Sequence, residues 1–312
     1  MFHKAVANII FGAMWLLSLL PLRVHYVISD IMRFFLHRVV RYRYTTVITN
    51  LSRCFPDLHY GEIRKIAGEY YRYVCDIIVE NVWSLSMDNR EFHRRFYIDN
   101  PEIADELFKT HEKIIVVMGH RGNWELIGGF GGYWKERKPE SFGWQPIWVG
   151  YKRTRNKIMN DLVIKIRLHE YKHLHIIGNI IESHNFLRTI LKKDNRGVYV
   201  FIADQSPKDA RTVVKFLGQP TLMFNGAAHL AHKMNVPVVF LDIARQKRGQ
   251  YLMHFTTISE FPKEMECDEI VRRYASLLES AILSNPHNWL WSHKRWKRDL
   301  TEEEREIYNS LR

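Results

Sequence analysis

A histidine and a glutamate with the chemistry of proton transfer, His120 and Glu125, lie five residues apart. Residues 114–118, just before them, are apolar and mostly β-branched, which predicts a strand buried on both faces of a parallel sheet. Asn123 is a candidate N-cap, so Glu125 is expected in the first turn of a helix. A strand-end histidine and a first-turn glutamate can converge across such a tight loop, whereas on one straight helix they would diverge by about 140°.

This pair predicts acid–base chemistry on a hydroxyl group. A carboxylate that holds one imidazole nitrogen leaves the other nitrogen free to take a proton from an alcohol. We therefore expect His120 to be a general base, with Glu125 orienting its ring and offsetting the charge of the imidazolium. An isolated His-x4-Glu pattern is weak evidence for a catalytic pair in a chain with 16 histidines. Its significance depends on the secondary-structure elements around it.

Those elements indicate an α/β fold. From about residue 96, short apolar runs alternate with helical patterns, as in sheets built from βα units. Strands are expected at 114–118, 146–150, 175–178, 198–203, 213–216, 236–243 and 251–258. Helices are expected at 60–85 and near 124–134, 155–170, 180–193, 225–234 and 266–284.

Asp204 follows the strand predicted at 198–203, as His120 follows the one at 114–118. Sites of open α/β sheets collect along the carboxyl edge of the strands, so residues far apart in sequence can face one crevice. Asp204 and His120, 84 residues apart, could therefore face the same crevice. The alternative is that Asp204 only caps a strand-to-helix turn.

The composition is that of a globular, basic protein. The chain has 312 residues, of which 46% are hydrophobic and 26% charged, and its net charge is +12. Such a charge favours an acidic partner, which could be nucleic acid, an anionic membrane surface or an acidic carrier protein. Cys54, Cys75 and Cys267 are widely spaced and odd in number, which predicts reduced thiols and a cytosol-facing body.

The N-terminus has the pattern of a membrane anchor. Residues 5–22 carry no charge and would rise about 27 Å as a helix, against a bilayer core of about 30 Å. No small-x-small cleavage site follows, so we expect an uncleaved anchor that spans the membrane or lies in its interface, with a buried core helix as the alternative. The arginines and histidines after it favour a cytoplasmic body. Residues 24–40 are amphipathic and predict a second interfacial helix or a helix packed on the body.

These patterns divide the chain into four segments. Residues 1–44 form the hydrophobic anchor and amphipathic helix, and 45–95 a helical segment that packs on the body. Residues 96–300 form the α/β domain, and 301–312 a C-terminal helical tail.

The run Gly-His-Arg-Gly-Asn-Trp-Glu-Leu around His120 resembles the His-x4-Asp/Glu signature of the glycerolipid, or lysophospholipid, acyltransferase superfamily. It is most similar to the late acyltransferases of lipid A biosynthesis, the lauroyl/myristoyl transferase family. Pro21-Leu-Arg, Ala203-Asp-Gln and Trp289-Leu-Trp-Ser-His-Lys-Arg-Trp-Lys297 resemble the same family in the same order. The resemblance implies a glycerolipid-acyltransferase-like αβα sandwich with N-terminal membrane-associated helices.

The resemblance also implies a reaction. The donor would be an acyl-carrier protein, and the acceptor a hydroxyl of a lipid A precursor that bears a 3-hydroxyacyl chain. Attack would be direct, without a covalent enzyme intermediate, at the inner membrane with the catalytic body on the cytoplasmic side. No metal, nucleotide or other cofactor and no nucleic-acid partner is implied.

The residues expected in the site follow from the matched segments. His120, Glu125, Arg167 and Asp204 are assigned to catalysis, with Arg167 and backbone N–H groups after His120 stabilising anionic groups. Counting along the helical pattern that follows Asn156 brings Arg167 to the position of a functional arginine of the late acyltransferases. The sequence of this stretch aligns only loosely with theirs. The substrate-binding candidates are Arg121, Asn123, Arg153, Arg155, Gln205 and Asn225. Residues 132–144 and 215–225 depart from the family pattern and are candidates for setting acceptor or chain-length specificity.

Three alternatives remain beside this prediction. The string His169-Glu-Tyr-Lys-His173 matches the zincin pattern, but it falls at the end of a basic helix and lacks a downstream third ligand. A relative that acylates another amino- or phospholipid would share the same motifs. An inactive membrane or nucleic-acid-binding protein would use the Trp-rich basic ending, which could stack bases, sit at a bilayer interface or simply pack as a strand and turn.

Overall fold

The computed structural model describes residues 2–129, 145–173, 178–192, 195–205 and 211–311. Nine strands are present in these ranges: β1 Phe96–Ile98, β2 Lys113–Met118, β3 Ile147–Tyr151, β4 Gly178–Glu182, β5 Gly197–Ile202, β6 Arg211–Phe216, β7 Gln219–Phe224, β8 Val238–Lys247 and β9 Gln250–Ser259. Seven of them form one sheet in the order β1-β9-β8-β2-β5-β3-β4, and β6 and β7 form a separate hairpin. Every pair in the large sheet is parallel except β8 with β9. The predicted α/β class is confirmed.

Helices cover both faces of this sheet. The described helices are α1 Phe2–Ser18, α2 Leu22–Phe34, α3 Tyr44–Cys54, α4 Tyr60–Trp83, α5 Asn89–Arg95, α6 Glu102–Thr110, α7 Lys157–His173, α8 Ser183–Leu191, α9 Gly226–Met234, α10 Cys267–Ser284 and α11 Glu302–Ser310. Strand β2 is buried along its whole length. Its Ile115 and Val117 join the core under α3, α4, α9 and α10, and Ile114 and Val116 join the core under α5 and α6. This alternation makes the αβα sandwich, because successive side chains of a strand point to opposite faces.

Most expected elements are present, with three additions. The pattern missed β1, which has three residues, and also β7 and α6. Helix α7 continues to His173, three residues beyond its expected end. The segment expected as a helix at 124–134 begins with a 3-10 helix, Trp124–Gly129, and its continuation lies outside the described residues, as do the insertion at 132–144 and most of the strand expected at 175–178.

The uncharged N-terminal run is broken into two helices. Helix α1 ends at Ser18, and α2 begins after Pro21, which cannot continue a preceding helix without losing a hydrogen bond. Among the described helices none is alone long and apolar enough to cross a bilayer, but α1 and residues 22–39, bent by 118°, meet the length and composition criteria as a pair. Large apolar side chains are exposed on both: Phe2, Ile9, Leu16, Leu17, Leu19, Val27, Ile31, Phe34, Phe35 and Val39.

A buried polar cluster, which we call the Asp76 clasp, joins this N-terminal unit to the sheet. Asp76 of α4 is fully buried and accepts a hydrogen bond from Ser29 of α2 at 2.6 Å. It also pairs with Arg245 of β8 at 2.5 Å and with Arg248 of the β8–β9 turn at 2.6 Å. Because a buried carboxylate needs such partners, α2, α4 and the β8–β9 hairpin are held as one unit.

The Trp-rich C-terminal segment packs inside the protein. Trp289 and Trp291 are buried in the core between α4 and the β6–β7 hairpin, and Trp296 donates to Thr221 at 2.8 Å. Of the three interpretations of this segment, the packed one is what the structure shows, as a single bridge from Trp289 to Arg121 followed by turns rather than as a strand. Its two buried indoles are not available to stack bases or to lie in a membrane interface, because the hydrophobic contacts that bury them hold the segment under the carboxyl edge of the sheet.

Candidate active site

Adjacent strands bring His120 and Asp204 together. Strands β2 and β5 are paired in parallel up to Met118 and Ile202, so the residues that follow them emerge side by side at the carboxyl edge. The Nδ1 atom of His120 lies 2.5 Å from Oδ1 of Asp204, and the His120 backbone N–H donates to Oδ2 at 2.8 Å. The turn between strand and histidine needs Gly119, because a Cβ there would lie 2.7 Å from Leu278 of α10.

Three hydrogen bonds fix the Asp204 carboxylate. Besides the two donors of His120, the indole N–H of Trp289 donates to Oδ2 at 2.8 Å. Since an ionised carboxylate can only accept, Nδ1 of His120 carries the proton and Nε2 presents its lone pair. That nitrogen lies 3.1 Å from the side-chain amide nitrogen of Gln205, which is exposed. The geometry therefore leaves Nε2 on the solvent side of the crevice.

The pKa values of the pair reflect burial and charge. Burial alone raises the pKa of Asp204, but the charge and hydrogen bonds of His120 and the charge of Arg295 outweigh it and place the pKa well below its ordinary value. Burial alone lowers the pKa of His120, but the charge and hydrogen bond of Asp204, with the charge of Glu125, raise it overall above 6.5. The dyad is thus an ionised carboxylate beside an imidazole of raised basicity.

Glu125 faces Arg167 rather than the ring of His120. Its Oε2 accepts from the Arg167 guanidinium at 2.8 and 3.3 Å, and its Oε1 accepts from the indole of Trp124 at 3.2 Å. The expectation that Glu125 orients His120 is therefore corrected, because Asp204 makes that contact. The reason is geometric: residues after two adjacent strands meet directly, whereas the 3-10 turn directs Glu125 toward α7. Its charge still acts on His120 and raises the pKa of the imidazole.

Arg121 and Asn123 hold the loop that follows His120 from inside the protein. Arg121 is 2% exposed and pairs with Asp242 of β8 at 2.5 Å, and Asn123 is 1% exposed and donates to Glu80 of α4 at 3.0 Å. Both were expected to bind substrate, but their side chains point into the protein. Polar residues of a short motif can stabilise the loop that carries them instead of binding substrate, since buried polar groups require hydrogen-bond partners.

Gly122 completes this loop in a conformation that other residues avoid. Its φ is +60°, and a Cβ would lie 2.2 Å from the carbonyl oxygen of Ile243. The N–H groups after His120 are used within the protein: that of Arg121 donates to Gly119 and that of Gly122 to Asn288. These two backbone groups therefore do not make the expected oxyanion contacts in the described loop, because one closes the turn at Gly119 and the other binds the carbonyl of Asn288. The guanidinium of Arg167 remains as the cation beside the crevice.

Of the other substrate-binding candidates, three lie apart from the His120–Asp204 pair: Arg153, Arg155 and Asn225. Arg153 is exposed and pairs with Glu182, and Arg155 lines a surface pocket of about 430 Å³ with the first turn of α1. Asn225 is 7% exposed and donates to Thr212 of β6 at 3.2 Å, so its amide joins the hairpin to α9. Within the described contacts, Gln205 is the one member of this group that touches the dyad.

The two histidines of the zincin-like string lie on one face of α7 and bind main-chain oxygens. His169 Nε2 is 2.9 Å from the carbonyl of Leu85, and His173 Nε2 is 2.9 Å from that of Met87. The rings stack with centroids 5.5 Å apart. Their contacts fasten α7 to the end of α4, and the described residues contain no cluster of three or more His, Cys, Asp or Glu arranged to hold a metal.

A comparison with known protein families identifies the family of the chain. Residues 2–298 match the family model described as bacterial lipid A biosynthesis acyltransferase. The chain belongs to this family. As a lipid A biosynthesis acyltransferase it is an enzyme that transfers acyl groups, and the resemblance carried by the motif around His120 is confirmed. None of the curated proteins compared with the chain matches it.

Sequence reasoning missed two residues of this acyltransferase site. Trp289 donates to Asp204, and Arg295 is buried near it, yet both come from the segment expected near the membrane. The only sequence signal was the position of these residues in the family-like ending. Their contacts depend on how that segment packs under β2 and β5, which no local pattern encodes.

Proposed function

We propose that this acyltransferase transfers a fatty acyl chain from acyl-carrier protein to a hydroxyl of a lipid A precursor, as a secondary acylation. The geometry of His120 carries the proposal. Its Nδ1 is bound to a buried carboxylate, and its Nε2 is directed at an exposed residue of the crevice. This is the arrangement of a general base with a free nitrogen for an incoming alcohol.

The reaction follows from this arrangement. The acceptor hydroxyl would replace the amide of Gln205 at Nε2, 3.1 Å away, and give its proton to His120 as its oxygen attacks the thioester carbonyl. Asp204 and the charge of Glu125 stabilise the imidazolium that forms. Arg167, held by Glu125 at 2.8 Å, would stabilise the oxyanion or an anionic group of the substrate. Collapse forms the ester, and the carrier's thiolate leaves and takes the proton from His120.

Direct attack is supported by the surroundings of Nε2. Among the described residues the side chain hydrogen-bonded to Nε2 is that of Gln205, which is not a nucleophile. Cys54 is buried, and burial raises the pKa of its thiol to about 12. A buried neutral thiol is a poor nucleophile, because the thiolate is the reactive form.

The donor and the location are argued from charge and exposed surface. A net charge of +12 suits an acidic carrier protein. The exposed apolar residues of α1 and α2 suit an inner-membrane surface that holds the acceptor lipid. Three free cysteines and the arginines after α1 suit a body on the cytoplasmic side.

The test is mass spectrometry of lipid A from cells that carry the wild type, a deletion, His120→Ala or Glu125→Ala. We expect lipid A to lose one secondary acyl chain in all three altered strains, and the missing mass gives the chain length. The matched control is His254→Ala, because His254 forms an analogous pair with Asp99 at 2.8 Å but lies exposed on β9. If another lipid loses the acyl group, the acceptor is wrong, and if His120→Ala changes no lipid, the catalytic role of His120 is wrong.

A further inference from the structure

Arg295 has a fully interior guanidinium with no hydrogen-bond partner in the described part of the chain. The residue is 3% exposed, and its Nε, Nη1 and Nη2 atoms are all buried without a partner. Its one close packing contact of note is the face of Phe216, with the guanidinium carbon 5.2 Å from the ring centroid. Leaving a charged group in this state costs free energy that a neutral residue of similar size would not cost. Such a group requires an explanation.

The position of Arg295 explains why the protein keeps a buried charge without a partner. Phe216 meets the indole of Trp289 edge to face at 5.8 Å, and Trp289 donates to Asp204 at 2.8 Å. The cation is thus linked to the Asp204 carboxylate through the two contacting rings of Phe216 and Trp289, and its charge acts on that carboxylate. A charge in this interior acts over several ångströms, because little solvent screens it.

Other groups near this cation are neutral. Burial raises the pKa of the Tyr274 hydroxyl well above 10, raises that of the Cys54 thiol to about 12, and lowers that of the His293 imidazole. Asp204 is therefore the ionised group on which Arg295 acts most directly. The charged and titratable groups that face His120 or Arg295 are, together, Asp204 after β5, Glu125 with Arg167 of α7, Tyr274 of α10, Cys54 of α3 and His293.

We propose that Arg295 is a positioning residue of the active site, whose unpaired buried charge keeps Asp204 ionised and keeps His120 in its neutral, proton-accepting form at working pH. This inference rests on the proposed role of His120 as a general base. The charge opposes Asp204 and Glu125, which both favour the imidazolium, and it lowers the pKa of His120 relative to what those two carboxylates alone would give. Trp289 orients the Asp204 carboxylate through its hydrogen bond, and Arg295 contributes a positive charge that favours the ionised form of Asp204.

The test compares Arg295→Met with Arg295→Lys in the full-length protein. Methionine is similar in length and removes the charge, and replacing a buried charge with an apolar residue is often neutral or stabilising, so the variant should fold. We expect kcat/KM for acyl transfer to fall about tenfold at pH 7 in Arg295→Met and to recover toward the wild-type value at pH 9, since more His120 becomes neutral there. Burial lowers the pKa of the Arg295 guanidinium, and a lysine in the same place would lose its proton more readily than arginine does, so Arg295→Lys should lie between Arg295→Met and the wild type.

A second measurement separates this inference from the function itself. Nitrogen-15 NMR of labelled histidine reports the protonation of His120 without any substrate. We expect its titration midpoint to move to higher pH in Arg295→Met and to move less in Arg295→Lys. A rate that falls equally at every pH, together with an unmoved NMR midpoint, would overturn the inference and indicate a packing role. A moved midpoint in an enzyme without acyl-transfer activity would instead overturn the proposed function.

Discussion

Replacing Asp204 with asparagine should trap His120 in the wrong tautomer. The Oδ2 atom of Asp204 accepts from two fixed donors, the backbone N–H of His120 and the indole of Trp289, both at 2.8 Å. An asparagine will place its oxygen there, because only oxygen can accept. Its NH₂ group then faces Nδ1 of His120, which must become an acceptor, so that the proton moves to Nε2. In this state Nε2 cannot take a proton from the acceptor hydroxyl.

The size of the effect follows from these contacts. The productive tautomer would need the asparagine turned around, with NH₂ facing two buried N–H donors. Each donor left without a partner costs about 1–3 kcal/mol, so the productive state is disfavoured by about 2–6 kcal/mol. At about 1.4 kcal/mol per factor of ten, kcat should fall between about 30-fold and about 10⁴-fold. The loss of the carboxylate charge adds to this.

Single-turnover transfer from an acyl-carrier-protein thioester to a lipid A precursor in mixed micelles measures this loss, and nitrogen-15 NMR reads the tautomer. The rate of Asp204→Asn should stay low at high pH. Its activity is lost because His120 has the wrong tautomer, and raising the pH does not change that tautomer. The control is Asp99→Asn, which alters the exposed His254–Asp99 pair of the same geometry. An Asp204→Asn enzyme within about threefold of the wild-type rate, or one with Nδ1 still protonated, would refute the reasoning.

Three further predictions concern pH and stability. The rate of the wild type should rise with pH through a midpoint above 6.5, because the carboxylates around His120 raise the pKa of the base; a kcat/KM profile with a midpoint below 6.5 would contradict this. Gly122→Ala should lower the free energy of unfolding by more than about 2 kcal/mol, since its Cβ meets a carbonyl at 2.2 Å, whereas Gly218→Ala, with φ +71° and nothing within 4 Å, should cost only about 1–2 kcal/mol in urea titrations. Asp76→Ala leaves two arginines without their buried partner and should cost about 3–5 kcal/mol, while Asp30→Ala, at a half-exposed pair, should cost less than about 1 kcal/mol by the same titrations.

The sheet and the position of His120 and Asp204 at one edge of it could be predicted because hydrophobic runs determine them, whereas the direct contact between the two side chains could not. Residues 114–118 and 198–203 are apolar on both faces, which is typical of central parallel strands, and the polar residues after them must lie at one edge. Short or edge elements carry less of this signal. Strand β1 has three residues and alternates between buried and exposed positions, so its hydrophobic run is too short to detect.

The direction of individual side chains could not be predicted. Arg121 and Asn123 are polar and follow the candidate base His120 in sequence, yet their partners Asp242 and Glu80 lie on β8 and α4, which only the folded chain brings near. The burial of Trp291 likewise depends on long-range packing. A family motif therefore indicated a candidate site but did not show which of its side chains point into the protein.

The Asp76 clasp has a consequence for how the enzyme would meet a lipid. A flexible tether would let the catalytic body approach a bilayer at many angles, but the clasp joins α2 to β8 through a carboxylate that is fully buried. If the exposed apolar faces of α1 and α2 rest in the bilayer surface, the height and tilt of the crevice above that surface are set when the protein folds. Selection among lipid hydroxyls would then depend on their depth below the headgroups as well as on their chemical surroundings.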